Sequence, residues 1–146
     1  MIISRITRCS FHHLLQPEAT LREMARVCRS GDTVTVCDVA SAHDKLDAYN
    51  RLEKIRDPSH TAALSPGQFE QLFARVGLRP TTREQYRLEI SVTEVIASSF
   101  PEPGGAEEMR QLFEKGLGVD GLGVGVERRA NGLFFYFPIL ISSART

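Results

Sequence analysis

A chain of 146 residues is long enough for one domain with a real core, and 18 basic against 18 acidic residues leave no net charge to draw it to nucleic acid or an anionic membrane. Hydrophobic residues at 42% and charged residues at 25% are ordinary for a soluble globular protein, and no apolar run approaches the roughly 20 residues of a membrane span. Three cysteines, Cys9, Cys28 and Cys37, are an odd number without Cys-x-x-Cys spacing, which argues against a disulfide framework or a zinc site. Arg5 and Arg8 interrupt any leader-like apolar segment, and a cytoplasmic protein with free thiols is the expectation.

Residues 2–7 read as a short strand and residues 8–13 (Arg-Cys-Ser-Phe-His-His) as the loop leaving it. Residues 17–28 are a helix. Pro17 suits the opening turn, Glu18 the positive end, and Arg26 and Arg29 the negative end, while Leu21, Met24, Ala25 and Cys28 form one apolar stripe. Gly31 supplies a turn, and the β-branched run 33–39 is a second strand, with Cys28 and Cys37 read as core. Strand, crossover helix and strand make a right-handed parallel pair. Ligands of such sheets sit outside the carboxyl ends of the strands, so chemistry is expected where residues 8–13 meet Asp38, Val39 and Ala40.

Residues 44–56 are a second helix, with Leu46, Tyr49, Leu52 (or Glu53) and Ile55 near helical spacing, and Pro58 forces Asp57 to end it. It leaves the edge holding Asp38 and can fold back as a lid carrying Tyr49 and Asn50. The break that follows, Arg56-Asp57-Pro58-Ser59-His60, is the second polar stretch; Asp57 and Ser59 either cap the break or meet a ligand. Ser65 and Gln68 form a capping box for a helix to Arg75, with Phe69, Leu72, Phe73 and Val76 inward and Gly77 closing it. Residues 81–90 alternate as a strand. Ser91 and Glu94 form a second capping box, for a helix to about Phe100.

After the loop 101–105, residues 106–115 are a short helix with Met109, Leu112 and Phe113 on one face. Residues 124–129 and 133–142 are strands joined through Asn131-Gly132. The second is the most apolar stretch and should lie deep in the sheet, with Pro138 at a bulge or an edge. The Gly-x-Gly-x-Gly pattern at 121–125 reads as a hinge into this hairpin, since a cofactor loop needs a buried strand before it and a helix after it. His12, His13 and Cys9 do not read as a metal site, because adjacent residues point different ways and no further ligand has the spacing. His43 reads as solvated.

Phe11-His12-His13, the helix end at 22–29 and the strand ending in Asp38 resemble the later half of class I S-adenosylmethionine-dependent methyltransferases. The nearest resemblance is to the ubiquinone/menaquinone-biosynthesis C-methyltransferase-like (methyltransferase type 11) group, and residues 49–60 resemble a narrower bacterial subset. The resemblance implies an α/β fold: the C-terminal half of a Rossmann-like sheet, with strands resembling four to seven, a helical lid and a terminal β-hairpin. It divides the chain into β-α-β (1–40), lid (41–64), helix and strand (65–90), helical insertion (91–121) and hairpin (122–146). The family's glycine-rich loop and ribose-holding acid do not precede Arg8, so the cofactor-binding half is expected to be missing and the chain alone inactive.

By the same resemblance the cofactor is S-adenosylmethionine, with Arg8, Cys9, Ser10 and His12 at its methyl end. His13, His60 and Tyr49 are then the candidate bases, with the histidines favoured because imidazole titrates near neutrality, and Tyr49, Asn50, Arg56 and Asp57 meet a small-molecule acceptor. The competing expectation is a non-catalytic half-domain. Its apolar first strand would pair as an exposed edge, with its own copy in a homodimer or with a half supplied by another chain.

Overall fold

Alternating apolar side chains build the sheet first. The computed structural model describes residues 4–146; Ile2 and Ile3, the start of the expected first strand, lie outside the described residues. The elements are β1 (Ser4–Arg8), α1 (Pro17–Arg26), β2 (Thr33–Val39), α2 (Leu46–Arg56), α3 (Pro66–Val76), β3 (Pro80–Ser91), α4 (Val92–Ala97), α5 (Gly105–Gly116), β4 (Glu127–Arg129) and β5 (Gly132–Arg145). Short 3-10 turns occupy Phe11–His13 and His43–Lys45.

One five-stranded sheet has the order β1-β2-β5-β3, with β4 also on β5. β1 and β2 are parallel, as the strand–helix–strand reading predicts, and β5 runs antiparallel to both its neighbours. β1, β2 and β3 therefore point the same way, and their carboxyl ends share one edge. β5 is central and takes β2 from Thr33↔Arg145 to Val39↔Ile139; that pairing extends it beyond the expected end at Ser142. Pro138 makes no bulge. Its carbonyl accepts the Ala40 N–H (2.8 Å) just where β2 runs out, so its missing donor faces a local edge.

Strand alternation sends Val34 and Val36 to one face with Leu140 and Ala144, under Leu21 of α1 and Phe69, Leu72 and Phe73 of α3. Cys37, Val39, Phe135 and Ile139 go to the other, under Leu46, Tyr49 and Leu52 of α2 and Met109 and Phe113 of α5. Each such side chain contributes about 1.5–3 kcal/mol of burial. Both capping boxes form, at Ser65/Gln68 and Ser91/Glu94, and Gly77 closes α3 at φ +83°. α4 stops at Ala97 rather than Phe100 because the Ser98 and Ser99 hydroxyls bond back to the Glu94 and Val95 carbonyls. Among the described residues β1 pairs with β2 along one side only, and Ile6 is 68% exposed.

Candidate active site

Asp38 is the penultimate residue of β2, at the shared carboxyl edge, and is 1% exposed. Four donors surround its carboxylate. Oδ2 accepts the backbone N–H of Ser10 (2.8 Å) and Phe11 (2.7 Å). Oδ1 accepts the N–H of Val39 (2.8 Å) and lies 2.5 Å from His12 Nδ1. Burial alone would raise the carboxyl, but the hydrogen bond and charge of His12, with the N–H groups of Phe11 and Val39, hold it below the usual carboxylate range. The loop reaches Asp38 through Cys9, which adopts a left-handed φ of +49° and donates its N–H to the Cys37 carbonyl at 2.9 Å. Thr7 and Ser10 join hydroxyls across the same bend. The Cys9 thiol is pushed up by burial and then by Asp38 and Cys37, so it is no activated nucleophile.

The chain leaving α2 arrives beside this loop. His12 O accepts the N–H groups of Thr61 (2.8 Å) and Ala62 (3.1 Å). The imidazoles of His12 and His13 stand 4.3 Å apart, those of His12 and His60 5.6 Å, and those of His13 and His60 6.4 Å. Asn50 Oδ1 accepts the Ala63 N–H (2.7 Å) and lies 2.8 Å from His60 Nε2. His60 is 2% exposed; burial first, then the positive potentials of His12, His13, Arg56 and Lys54, lower its pKa to about 4. Burial, then Glu53, raises the Tyr49 hydroxyl well above its ordinary value. Among the described residues, neither Tyr49 Oη nor His60 Nδ1 has a hydrogen-bond partner.

The two remaining residues of the break face elsewhere. Arg56 forks onto the buried Glu53 carboxylate, Nη2 to Oε2 at 2.6 Å, and lies over the Phe137 ring. Asp57 is partly buried and accepts the Ser59 N–H (2.8 Å) and hydroxyl (2.7 Å), the capping arrangement; these bonds lower its carboxyl. Arg8 stays exposed beside Cys9. The structure thus gathers Cys9, Ser10, His12, His13, Asn50 and His60 at the strand ends. Asp38 and Ser59 organise this group; the sequence placed Asp38 at this edge and Ser59 in the break, but not their bonds to His12 and His13. The available signal for Asp38 was a lone carboxylate closing a β-branched run at a sheet's carboxyl edge.

Among the described residues, no group of three or more His, Cys, Asp or Glu could hold a metal ion. The segment 121–125 does not fit a cofactor cradle. Leu122 and Val124 are buried in the core, Asp120 Oδ1 accepts the N–H groups of Val124 and Gly125, and a Cβ at Gly125 would meet Tyr136 at 2.4 Å. The described residues therefore offer a polar edge at the strand ends, while 121–125 is part of the packed interior.

A mixed sheet of this order, helices on both faces and a polar site at the parallel strand ends, is the class I methyltransferase fold, represented here by part of a Rossmann-like domain. No protein-family model matches the chain, and no curated protein matches it. Among solved structures it is similar to a Bacillus halodurans protein classed as a methyltransferase (TM-score 0.83, 18% identity) and to YcgJ of Bacillus subtilis (0.83, 20%). In both comparisons 97% of this chain aligns with 63% of the other, so it spans under two thirds of their length. A more distant likeness (0.55, 11%, 98% of this chain and 33% of the other) is to Haemonchus contortus phosphoethanolamine N-methyltransferase 2, solved with phosphomonomethylethanolamine and S-adenosylhomocysteine. Identities this low carry the fold alone. No described helix is long and apolar enough to cross a membrane.

Proposed function

We propose that this chain carries the acceptor-facing part of an S-adenosylmethionine-dependent methyltransferase acting on a small molecule, of the ubiquinone/menaquinone C-methyltransferase-like kind. In this reading the cofactor cradle comes from protein paired along the free side of β1, and the 146 residues alone are inactive. The observation that carries it is the Asp38-centred histidine cluster at the parallel strand ends of this fold. Arg8, Cys9, Ser10 and His12 would line the methyl end, His13 and His60 would serve as bases, and Tyr49 and Asn50 would meet the acceptor, while Arg56 and Asp57, held by Glu53 and Ser59, would stand outside it. When bound, the cofactor supplies an electrophilic methyl carbon, and the protein's share is alignment and removal of a proton.

Calorimetry with S-adenosylhomocysteine tests the division of labour. The isolated chain should bind no more tightly than about 1 mM, the scale of a few unsupported contacts. Micromolar binding by these residues alone would show that the cradle lies within them and would sink the half-site reading. The exposed, one-sided β1 supports a second reading, a non-catalytic module that assembles through that strand.

A further inference from the structure

Two guanidinium groups lie over rings of β5, and their surroundings differ. Arg129 lies over Phe134 at 4.6 Å, and carboxylates take its N–H groups: Glu89 accepts two (2.8 and 2.7 Å) and Glu127 a third (3.1 Å). Arg87 lies over Tyr136 at 4.4 Å, and among the described residues no acceptor meets its five N–H groups. The first pair is complete within the fold. The second has an aromatic base and a row of free donors.

Register explains why Arg87 stays unpaired. Across the β3–β5 ladder it faces Pro138, which has no side-chain acceptor, and it reaches Tyr136 on the diagonal. Tyr136 is itself fixed: Gly125 closes against its ring where there is no room for a Cβ, and its N–H donates to the Val124 carbonyl (3.0 Å). A guanidinium resting on a fixed ring is pre-ordered, so less rotamer freedom remains to be lost when a ligand is bound.

Two cavities adjoin at this pair, each lined by both Arg87 and Tyr136. The larger, about 300 Å³, also holds Glu89, Asp120, Glu127 and Arg129, so an anion there meets three carboxylates and an arginine already taken. The other, about 260 Å³, has no carboxylate in its walls, which are completed by Ala40, Gln85, Tyr86, Pro138 and Ile139. Gln85 adds a carboxamide with no partner among the described residues. Arg87 is therefore the one charged side chain of this cavity, and its charge is not neutralised. Ala40 lies two residues beyond Asp38 and donates its N–H to Pro138, so the cavity borders the strand end that carries the histidine cluster. A stack that served the sheet alone needs neither a cavity nor free donors, as the Arg129–Phe134 pair beside it shows.

We propose that Arg87, on its Tyr136 base, is the anion-binding residue of a site for a small organic carboxylate. The carboxylate accepts two parallel N–H groups from the planar guanidinium edge, and the apolar walls favour an organic body over a bare inorganic ion. That this carboxylate belongs to the methyl acceptor rests on the function proposed above; the anion is then an anchor and not the reacting group, which is consistent with methylation at carbon. The site itself does not depend on that reading.

Proton–nitrogen NMR of the full chain tests it without cofactor or turnover. Benzoate should give saturable shifts of the Arg87 Nε–Hε signal and of the Gln85, Arg87 and Tyr136 amides, with a Kd of roughly 1–10 mM, the scale of one forked ion pair and a ring contact. Benzamide, of the same shape and uncharged, should bind at least about tenfold more weakly. Arg87→Gln should abolish saturation, and Arg87→Lys, which keeps the charge and loses the fork, should weaken binding about three- to tenfold. Arg87 is exposed, so both variants should keep the wild-type spectrum elsewhere. Equal binding of benzamide, wild-type affinity in Arg87→Gln, or no saturable shift below about 50 mM would overturn the proposal. Inorganic phosphate saturating the same signals at the same concentration would reveal a general anion patch and overturn the assignment to organic carboxylates. Absence of methyl transfer, or of S-adenosylhomocysteine binding, would bear only on the function above.

Discussion

A histidine kept neutral in the interior ties stability to pH. His60 has an ordinary pKa of 6.5 and a folded value of about 4, because burial and the positive potentials of His12, His13, Arg56 and Lys54 disfavour its charge. Above pH 6.5 it is neutral in both states and contributes no pH dependence. As pH falls from 6.5 toward 4, the unfolded chain takes up a proton that the folded chain refuses, and stability drops by roughly 3 kcal/mol once pH is below 4. Asp38 and Asp57 act in the same direction lower down, since their folded values are depressed and their stabilisation is lost only below the ordinary carboxylate range. Urea denaturation should therefore show wild type losing about that much more than His60→Gln between pH 7 and pH 4. Equal acid limbs for the two proteins would mean that His60 is not held neutral.

At the scale of elements, the corner joining α5 to β4 shows how one local pattern supports two different structures. Gly125 sits at φ +55°, donates to Asp120 Oδ1 (2.8 Å) and touches the Tyr136 ring, which in turn carries the Arg87 guanidinium at 4.4 Å. A methyl there meets left-handed strain and a ring that must move, so Gly125→Ala should cost about 2–4 kcal/mol in urea denaturation. Gly121→Ala, with nothing within 4 Å of the added atom, should cost under about 0.5 kcal/mol. Equal costs would remove the packing explanation for this corner. The glycine spacing could not reveal this, because Tyr136 reaches Gly125 only once β5 is laid in the sheet. The features legible in the sequence carried their own local chemistry: both capping boxes, Gly77, the first parallel pair and the last hairpin, although its turn falls at Ala130 and Asn131, one residue before the expected Asn131-Gly132. The central place of β5 was not legible, since partners such as Cys37 and Ile141 lie a hundred residues apart. Shorter separations, 26 and 46 residues, still hid the Asp38–His12 and Ser59–His13 bonds, although each histidine stood out in its own stretch.

For the whole molecule the open question is what meets β1. A parallel strand with one bare side exposes a row of unpaired N–H and C=O groups, and β1 adds an exposed Ile6 at its centre. Two copies related by a twofold axis would pair these strands antiparallel. Centred on Ile6, that register sets Ile6 against Ile6, Arg5 against Thr7 and Arg8 against Ser4, so no two guanidinium groups stand opposite one another. The chain's own sequence therefore permits self-pairing, and sedimentation should find a concentration-dependent dimer. Ile6→Lys would place two ammonium groups face to face at the axis and should return the protein to monomer. Its urea stability at low protein concentration should stay within about 0.5 kcal/mol of wild type, because the side chain is exposed. A wild type that stays monomeric across the micromolar range, with Ile6→Lys indistinguishable from it, would rule out the homodimer and leave β1 to a strand of different sequence. That is the arrangement the half-site reading requires, since a second copy supplies a second histidine cluster and no cradle.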